Sequence, residues 1–240
     1  MRPDSSKISI ITPTFNEREN IITLIQSLKE HIAPPREIIV VDDNSPDGTA
    51  DAVAALNDPD VILIRRKARG LASAFHRGIL ESTGDVVCWM DADTCMPPPV
   101  LAQMIDTLDQ YDIAIGSRYA DGGSDKRAPV RVLSSRIING FANLMLGGGI
   151  KDYDSGFVAL KRSVFDTITI IPFGYGEYFI EMVYDAHRAG LKIKEIGYEF
   201  TDRTEGFSKS MPSLWAFLKT GFHYAFRIVS VRFRILRGGN

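Results

Sequence analysis

The chain has 240 residues, 45 % apolar and 24 % charged, with a formal net charge of −2, an ordinary globular composition long enough for one large α/β domain with a buried core. The charge is unevenly spread: no Asp or Glu follows Glu205, whereas Lys209, Lys219, Arg227, Arg232, Arg234 and Arg237 do, which leaves about −8 on residues 1–205. An acidic body without a basic stripe argues against a nucleic-acid partner, and two cysteines make no disulfide framework.

From the N-terminus, Met1 to Lys7 lacks the apolar stretch of a secretory signal, and a reducing, cytoplasmic setting is expected. No uncharged apolar run in the chain approaches the ~18 residues that cross a bilayer. Residues 7–12 read as a first strand, rich in β-branched residues. A helix follows, with Ile21, Ile22, Leu24, Ile25 and Leu28 as its apolar stripe, and Pro34-Pro35 stops it. Residues 37–41 form a second strand that ends in Asp42-Asp43-Asn44-Ser45-Pro46-Asp47-Gly48, with Asp47 placed to cap a helix over 49–56. A strand at 61–64, a helix over about 71–81, a strand at 86–90, a helix over about 100–108 and a strand at 112–116 complete the first half. Such alternation predicts an open, mostly parallel sheet with helices on both faces.

The fourth strand organises the chain. Val86 to Met90 is an unbroken apolar run, as in a central strand buried on both faces, and it ends in Asp91-Ala92-Asp93. Residues i and i+2 of an extended chain project to one side, so the two carboxylates are expected to converge on a hard divalent ion that leaves room for phosphate oxygens. Ligands of such sheets bind at the carboxyl ends of the strands. Glu17, Asp42 and Asp43, Asp91 and Asp93, and Arg118 all fall there. Any one of them reads equally well as a turn residue facing water; their shared rim is what argues for a site. No glycine-rich dinucleotide or P-loop fingerprint follows the first strand.

The second half is less regular. Residues 119–129 read as a mobile, glycine-bearing loop near the rim. A helix over about 131–146, a strand at 158–160, a helix over about 177–189 and an alternating strand at 192–196 follow. From Pro212 onward Trp215, Leu218, Phe222, Phe226, Val229, Phe233 and Leu236 recur at helical spacing, with a possible break at Gly221. This basic amphipathic helix can dock on its own domain, or it can hold an anionic membrane surface or a small membrane subunit. Six cations at ~1 kcal/mol each supply only a few kcal/mol, so apolar burial would do much of the holding.

Ile11-Thr12-Pro13-Thr14-Phe15-Asn16-Glu17, Val41-Asp42-Asp43-Asn44-Ser45-Pro46-Asp47-Gly48-Thr49, Arg69-Gly70-Leu71 and Met90-Asp91-Ala92-Asp93 together resemble family 2 glycosyltransferases of the GT-A fold. Gly116-Ser117-Arg118-Tyr119, Ser135-Arg136-Ile137-Ile138-Asn139, Asp152-Tyr153-Asp154-Ser155-Gly156-Phe157 and Arg203-Thr204-Glu205-Gly206-Phe207-Ser208-Lys209 resemble the dolichol-phosphate mannose synthase-like, or polyprenyl-phosphate glycosyltransferase, branch. The likeness covers roughly residues 7–210, giving a catalytic domain over 1–210 and a C-terminal helix over 211–240. It implies inverting, metal-dependent transfer of a hexose from a nucleotide sugar, above all mannose from GDP-mannose, to a polyprenyl or dolichyl monophosphate. By the same likeness Pro13, Phe15, Glu17, Val41 and Asp43 line the nucleoside pocket. Asp91, Ala92 and Asp93 meet the donor diphosphate, the two carboxylates holding Mg²⁺ or Mn²⁺. Arg118, Arg131 and Ser135 bind the acceptor phosphate, and Arg203 and Lys209 close over the phosphates. Asp93, Arg118, Arg131 and Arg203 are thus the expected catalytic residues, on a protein peripheral to the cytoplasmic face of a membrane.

The chemistry agrees with these residue types. A phosphate monoester, with its second pKa near 6, is already an anionic nucleophile at pH 7, so no dedicated base is required. Guanidinium groups match phosphate oxygens in pairs. Three departures from the branch stand out: Cys95-Met96 replaces the usual Gln-His, Phe207 replaces a glutamate beside the lid, and the loop before Arg131 is a residue short. The alternatives are UDP-glucose or another donor, a glycan hydroxyl acceptor with Asp152, Asp154 or Glu181 as base, and a non-catalytic nucleotide-sugar-binding module.

Overall fold

The structure, a computed structural model, describes residues 6–201 and 214–236, with side chains of the second stretch described from 221 to 234. In chain order the elements are β1 (Ile8–Thr14), α1 (Arg18–His31), β2 (Arg36–Asp42), α2 (Thr49–Ala55), β3 (Val61–Arg65), α3 (Leu71–Glu81), β4 (Val86–Trp89), α4 (Pro98–Thr107), β5 (Ile113–Ser117), β6 (Ser124–Asp125), α5 (Pro129–Leu146), β7 (Val158–Lys161), α6 (Glu177–Arg188), β8 (Ile193–Gly197), β9 (Glu199–Phe200) and α7 (Leu214–Leu236). Seven strands form one sheet in the order β3-β2-β1-β4-β7-β5-β8, which puts β4 in the middle. All its pairings are parallel except those of β7, which runs antiparallel to both β4 and β5.

Alternation along the strands sorts two cores. Ile11, Ile39, Val41, Val87, Trp89, Ile113 and Ile115 face α3, α5, α6 and α7, while Ile10, Ile38, Val40, Cys88, Met90 and Ala114 face α1, α2 and α4. Both faces of each inner strand are therefore apolar, as helices on both sides of a parallel sheet demand. The fit leaves no slack: a Cβ on Gly78 of α3 would come within 2.3 Å of the Ile11 side chain.

The structure revises several expectations. β7 reverses direction between β4 and β5, which the strand's apolar run alone does not disclose. The loop at 119–129 contains β6, which pairs in parallel with β9 through Ser124–Glu199 and Asp125–Phe200. The helices α4 and α5 begin at prolines, Pro98 and Pro129, where a missing N–H and a fixed φ cost nothing in a first turn. α7 runs through Gly221 without a break.

α7 is docked on the body. Tyr224, Ile228 and Val231 are buried in the core shared with α5 and α6. Glu181 of α6 ion-pairs with Arg227 and Arg234, and Arg234 also donates to Asp185 at 2.9 and 3.0 Å. Phe222, Phe226 and Phe233 stay 68, 63 and 53 % exposed. No helix among the described residues is long and apolar enough to cross a membrane.

Candidate active site

At the rim above β1 and β2, each turn is tied by its own side chains. Asp42 accepts from Thr14 Oγ1 at 2.9 Å and from the Ser45 N–H at 2.9 Å, joining the ends of both strands. Asp47 accepts from the Thr49 N–H at 2.9 Å and the Arg18 N–H at 3.1 Å, so it braces the starts of α2 and α1. The Thr49 hydroxyl in turn accepts from the Glu17 N–H at 3.0 Å, and Glu17 is 6 % exposed. Asp43 is held by the Arg66 guanidinium and by the Gly70 N–H at 2.9 Å, which fixes the loop before α3 against β2. The Arg69 guanidinium lies 3.9 Å from the Phe15 ring centroid, a cation–π contact that covers the half-buried Phe15. Pro13, Phe15, Glu17 and Asp43 thus share one corner of the rim, whereas the Val41 side chain is fully buried in the core and has only its backbone to offer a ligand. Arg69 stood in the sequence as part of the Arg69-Gly70-Leu71 motif with no role of its own, and Arg66 was not singled out; its place in a basic run before a glycine was the available signal.

After β4 the geometry departs from simple alternation. The strand ends at Trp89, and Asp91 to Thr94 form a turn in which Thr94 has φ 62°. The turn, not the period of a strand, presents Asp91 and Asp93. Asp91 is half-buried, its N–H donating to Met96 Sδ at 3.3 Å. Asp93 is 8 % exposed, with Oδ1 accepting from the Cys95 N–H at 3.2 Å, and Ala92 between them is 3 % exposed. Cys95 and Met96, which stand where the branch usually has Gln-His, are both buried and serve this turn from within. Mg²⁺ or Mn²⁺ takes one or two carboxylates and completes its shell with water and substrate phosphates. The hard oxygens of Asp91 and Asp93 fit that demand, and no cluster of three or more His, Cys, Asp or Glu offers a protein-only cage among the described residues.

On the other side of β4, Arg118 leaves the end of β5 and is 5 % exposed. Asp152 accepts from its Nε at 2.8 Å, its Nη2 at 2.6 Å and its backbone N–H at 2.9 Å, and Asp154 also accepts from Nη2. Burial opposes the charge on Arg118, but the two carboxylates outweigh it and keep the guanidinium firmly protonated. Burial likewise opposes ionisation of Asp152, and Arg118 overcomes it, holding that carboxyl below its usual range. Asp154 goes the other way: burial, reinforced by the Asp152 charge, pushes it up despite Arg118.

Ser135, in the second turn of α5, brings its Oγ 3.5 Å from Arg118 Nη1 and 3.2 Å from Nη2 of Arg127. Arg131 lies in the first turn of the same helix, four residues earlier, half-buried, with its N–H on Ala128 O at 2.8 Å. Arg118 and Ser135 therefore meet as expected, and Arg127 joins them unannounced by any motif. Tyr198, 3 % exposed, senses both halves of the rim: burial raises its pKa well above normal, and the charges of Asp152 and Asp91 add to that while Arg118 opposes it. Arg203 and Lys209 lie outside the described residues.

All three candidate bases are engaged: Asp154 accepts from Arg118 Nη2 and, at 3.1 Å, from Asn139 Nδ2. Asp152 is fully buried against Arg118, and Glu181, 2 % exposed, holds α7 through Arg227 and Arg234.

The Glycosyl transferase family 2 model matches residues 9–169. A dolichol-phosphate mannosyltransferase of Pyrococcus furiosus is 38 % identical over 210 residues, 85 % of this chain and 59 % of that protein, so the chain spans less than two thirds of this relative. A polyprenol monophosphomannose synthase of Mycolicibacterium smegmatis is 36 % identical over 87 % of this chain and 82 % of that protein. Among solved structures, glucosyl-3-phosphoglycerate synthase of Mycobacterium tuberculosis, in complex with Mn²⁺, UDP-glucose and phosphoglyceric acid, superposes with a TM-score of 0.73 at 18 % identity, over 95 % of this chain and 80 % of that one. At that identity the likeness shows the fold, which is the GT-A architecture expected from the motifs. On the family match and the two relatives, the chain belongs to glycosyl transferase family 2.

Proposed function

We propose that the protein transfers a hexose from a nucleotide sugar to a polyprenyl monophosphate, with mannose from GDP-mannose as the first donor to test. The observation that carries this reading is Arg118, buried, pinned by Asp152 and turned toward Ser135 on the same rim as Asp91 and Asp93. A guanidinium so fixed is suited to hold an anionic acceptor, and the names of the two relatives give that acceptor as a lipid phosphate.

In this reading Asp43 and Phe15 face the nucleoside, with Arg66 and Gly70 keeping the Asp43 carboxylate in place. Asp91 and Asp93 hold a divalent ion, which when bound neutralises charge that builds on the departing diphosphate. Arg118, Arg131 and Ser135 orient the lipid phosphate so that one oxygen reaches the anomeric carbon from the side opposite the leaving nucleotide, inverting that centre. The phosphate needs no deprotonation by the protein. A hydroxyl acceptor would need a base, and of the three candidates Asp152 and Asp154 are both engaged by Arg118 while Glu181 holds α7. The second donor reading, UDP-glucose, rests on the complex of the fold neighbour.

The lipid substrate calls for a membrane surface. The outer face of α7 carries exposed Phe222, Phe226 and Phe233, and neither α5 nor α7 contains an Asp or Glu, which suits peripheral attachment to anionic lipid on the cytoplasmic face. The test of the reaction is a panel of nucleotide sugars offered with farnesyl phosphate, with and without EDTA. GDP-mannose is expected to give a lipid-linked hexose that EDTA abolishes. Transfer to a glycan hydroxyl but never to the lipid phosphate would overturn the proposal.

A further inference from the structure

Two arginines at the rim are built alike. Arg118 is clamped along its Nε–Nη2 edge by Asp152, at 2.8 and 2.6 Å. Arg127 is clamped along the same edge by Asp125, whose Oδ1 accepts from Nε at 2.9 Å and whose Oδ2 accepts from Nη2 at 2.6 Å. Each guanidinium also reaches the hydroxyl of Ser135. A fork held on one edge by a carboxylate keeps its other N–H groups aimed in a fixed direction, and two such forks on one hydroxyl outline a seat for a tetrahedral oxyanion.

The surroundings keep Arg127 there. Burial opposes its charge, but the Asp125 carboxylate outweighs burial and holds it protonated. Asp125 stays ionised because Arg127 outweighs the penalty of burial, and it also accepts from the Tyr119 hydroxyl at 3.1 Å. The Phe200 ring lies 5.0 Å from the Arg127 guanidinium and 5.8 Å from that of Arg118, so one aromatic face backs both cations. Pairing of β6 with β9 ties the loop down beside Phe200. Gly123 lets the loop fold back onto the end of β5, since a Cβ there would sit 2.6 Å from Ser117 O.

We propose that Arg127 is a further substrate-binding residue, the second fixed guanidinium of the acceptor-phosphate seat with Arg118 and Ser135, and that Asp125 is its positioning residue. This rests on the functional reading above. The competing role is a loop staple, in which Arg127 merely closes a local ion pair with Asp125.

The experiment measures transfer kinetics with farnesyl phosphate as acceptor, its binding by calorimetry, and thermal melting, for wild type, Arg127→Gln, Arg127→Lys and Asp125→Asn. For Arg127→Gln the expected result is a KM for the lipid phosphate raised roughly 10- to 100-fold, as for loss of a charge-assisted hydrogen bond. The KM for the nucleotide sugar should stay within about twofold, even though Gln leaves Asp125 buried without its counter-charge and lowers the melting temperature. Arg127→Lys should recover part of the loss, and Asp125→Asn should raise the same KM by less than Arg127→Gln. Donor and acceptor constants that worsen together with the melting temperature, or an acceptor KM that does not move, would overturn the assignment while leaving the reaction standing. Wild-type protein that neither binds farnesyl phosphate nor transfers to it with any donor would overturn the reaction and this assignment together.

Discussion

Asp93 sits in a turn stabilised by its own Oδ1 accepting the Cys95 N–H at 3.2 Å. Replacing it with Asn keeps an acceptor at that atom and removes the charge that a divalent ion requires. Asp93→Asn is therefore expected to lose at least about 100-fold in transfer while melting within a few degrees of wild type. Unchanged turnover, measured with saturating metal, would refute the role. A second carboxylate works for stability instead. Glu37, 4 % exposed, is raised by burial, but hydrogen bonds from Lys7, Ser9 and Thr83 prevail and bring it from 4.5 down to about 2. A depressed folded pKa means stabilisation that is complete above pH 4.5 and disappears as pH falls toward 2. Denaturant titrations should find Glu37→Gln less stable by about 2 kcal/mol at pH 7, with the gap closing in acid; a gap independent of pH would contradict the assigned cause. At this scale the motifs spoke clearly for Asp91, Asp93, Arg118 and Ser135. They were silent on Arg66 and Arg127, whose partners are fixed only once β2 meets the loop before α3 and β6 meets β9.

Among the elements, α7 shows how much an amphipathic pattern leaves open. The stripe read from the sequence suits either docking or membrane contact; in the folded helix its Phe222, Phe226 and Phe233 stay exposed and a different set of residues docks. Tyr224, Ile228 and Val231 go inward, anchored by the Glu181 pairs with Arg227 and Arg234, while three phenylalanines face out. Glu181, read from the sequence as a possible base, is a docking carboxylate because its partners arrive from a helix far along the chain. Changing Phe222, Phe226 and Phe233 together to Ser should cut co-sedimentation with anionic vesicles at least about tenfold, given ~1.5–3 kcal/mol for each buried aromatic side chain, without lowering the melting temperature. Undiminished sedimentation would mean that another surface holds the lipid. The parallel elements were legible because strand and helix alternate with clear periods. The antiparallel β7 was not, since an apolar triplet carries no sign of direction, and β6 and β9 are too short to show a period at all.

For the molecule as a whole, the sheet does the gathering. With β4 in the middle, the Phe15–Asp43 corner above β1 and β2 and the Arg118 corner at the end of β5 lie on either side of Asp91 and Asp93. The order of the strands, fixed by two apolar faces that must both be covered, thereby decides which distant carboxylates and arginines share a rim. Among the described residues the three candidate bases, Asp152, Asp154 and Glu181, are all held in ion pairs, and this fits a nucleophile that is already charged. The pH dependence of kcat/KM for the lipid acceptor tests that point most directly, measured once with farnesyl phosphate and once with farnesyl phosphonate, whose second ionisation lies higher. The expected profile rises through a single inflection near pH 6 for the phosphate, and that inflection moves upward with the phosphonate. An inflection that stays in place when the acceptor is exchanged would belong to a base on the protein and would contradict the proposed reaction.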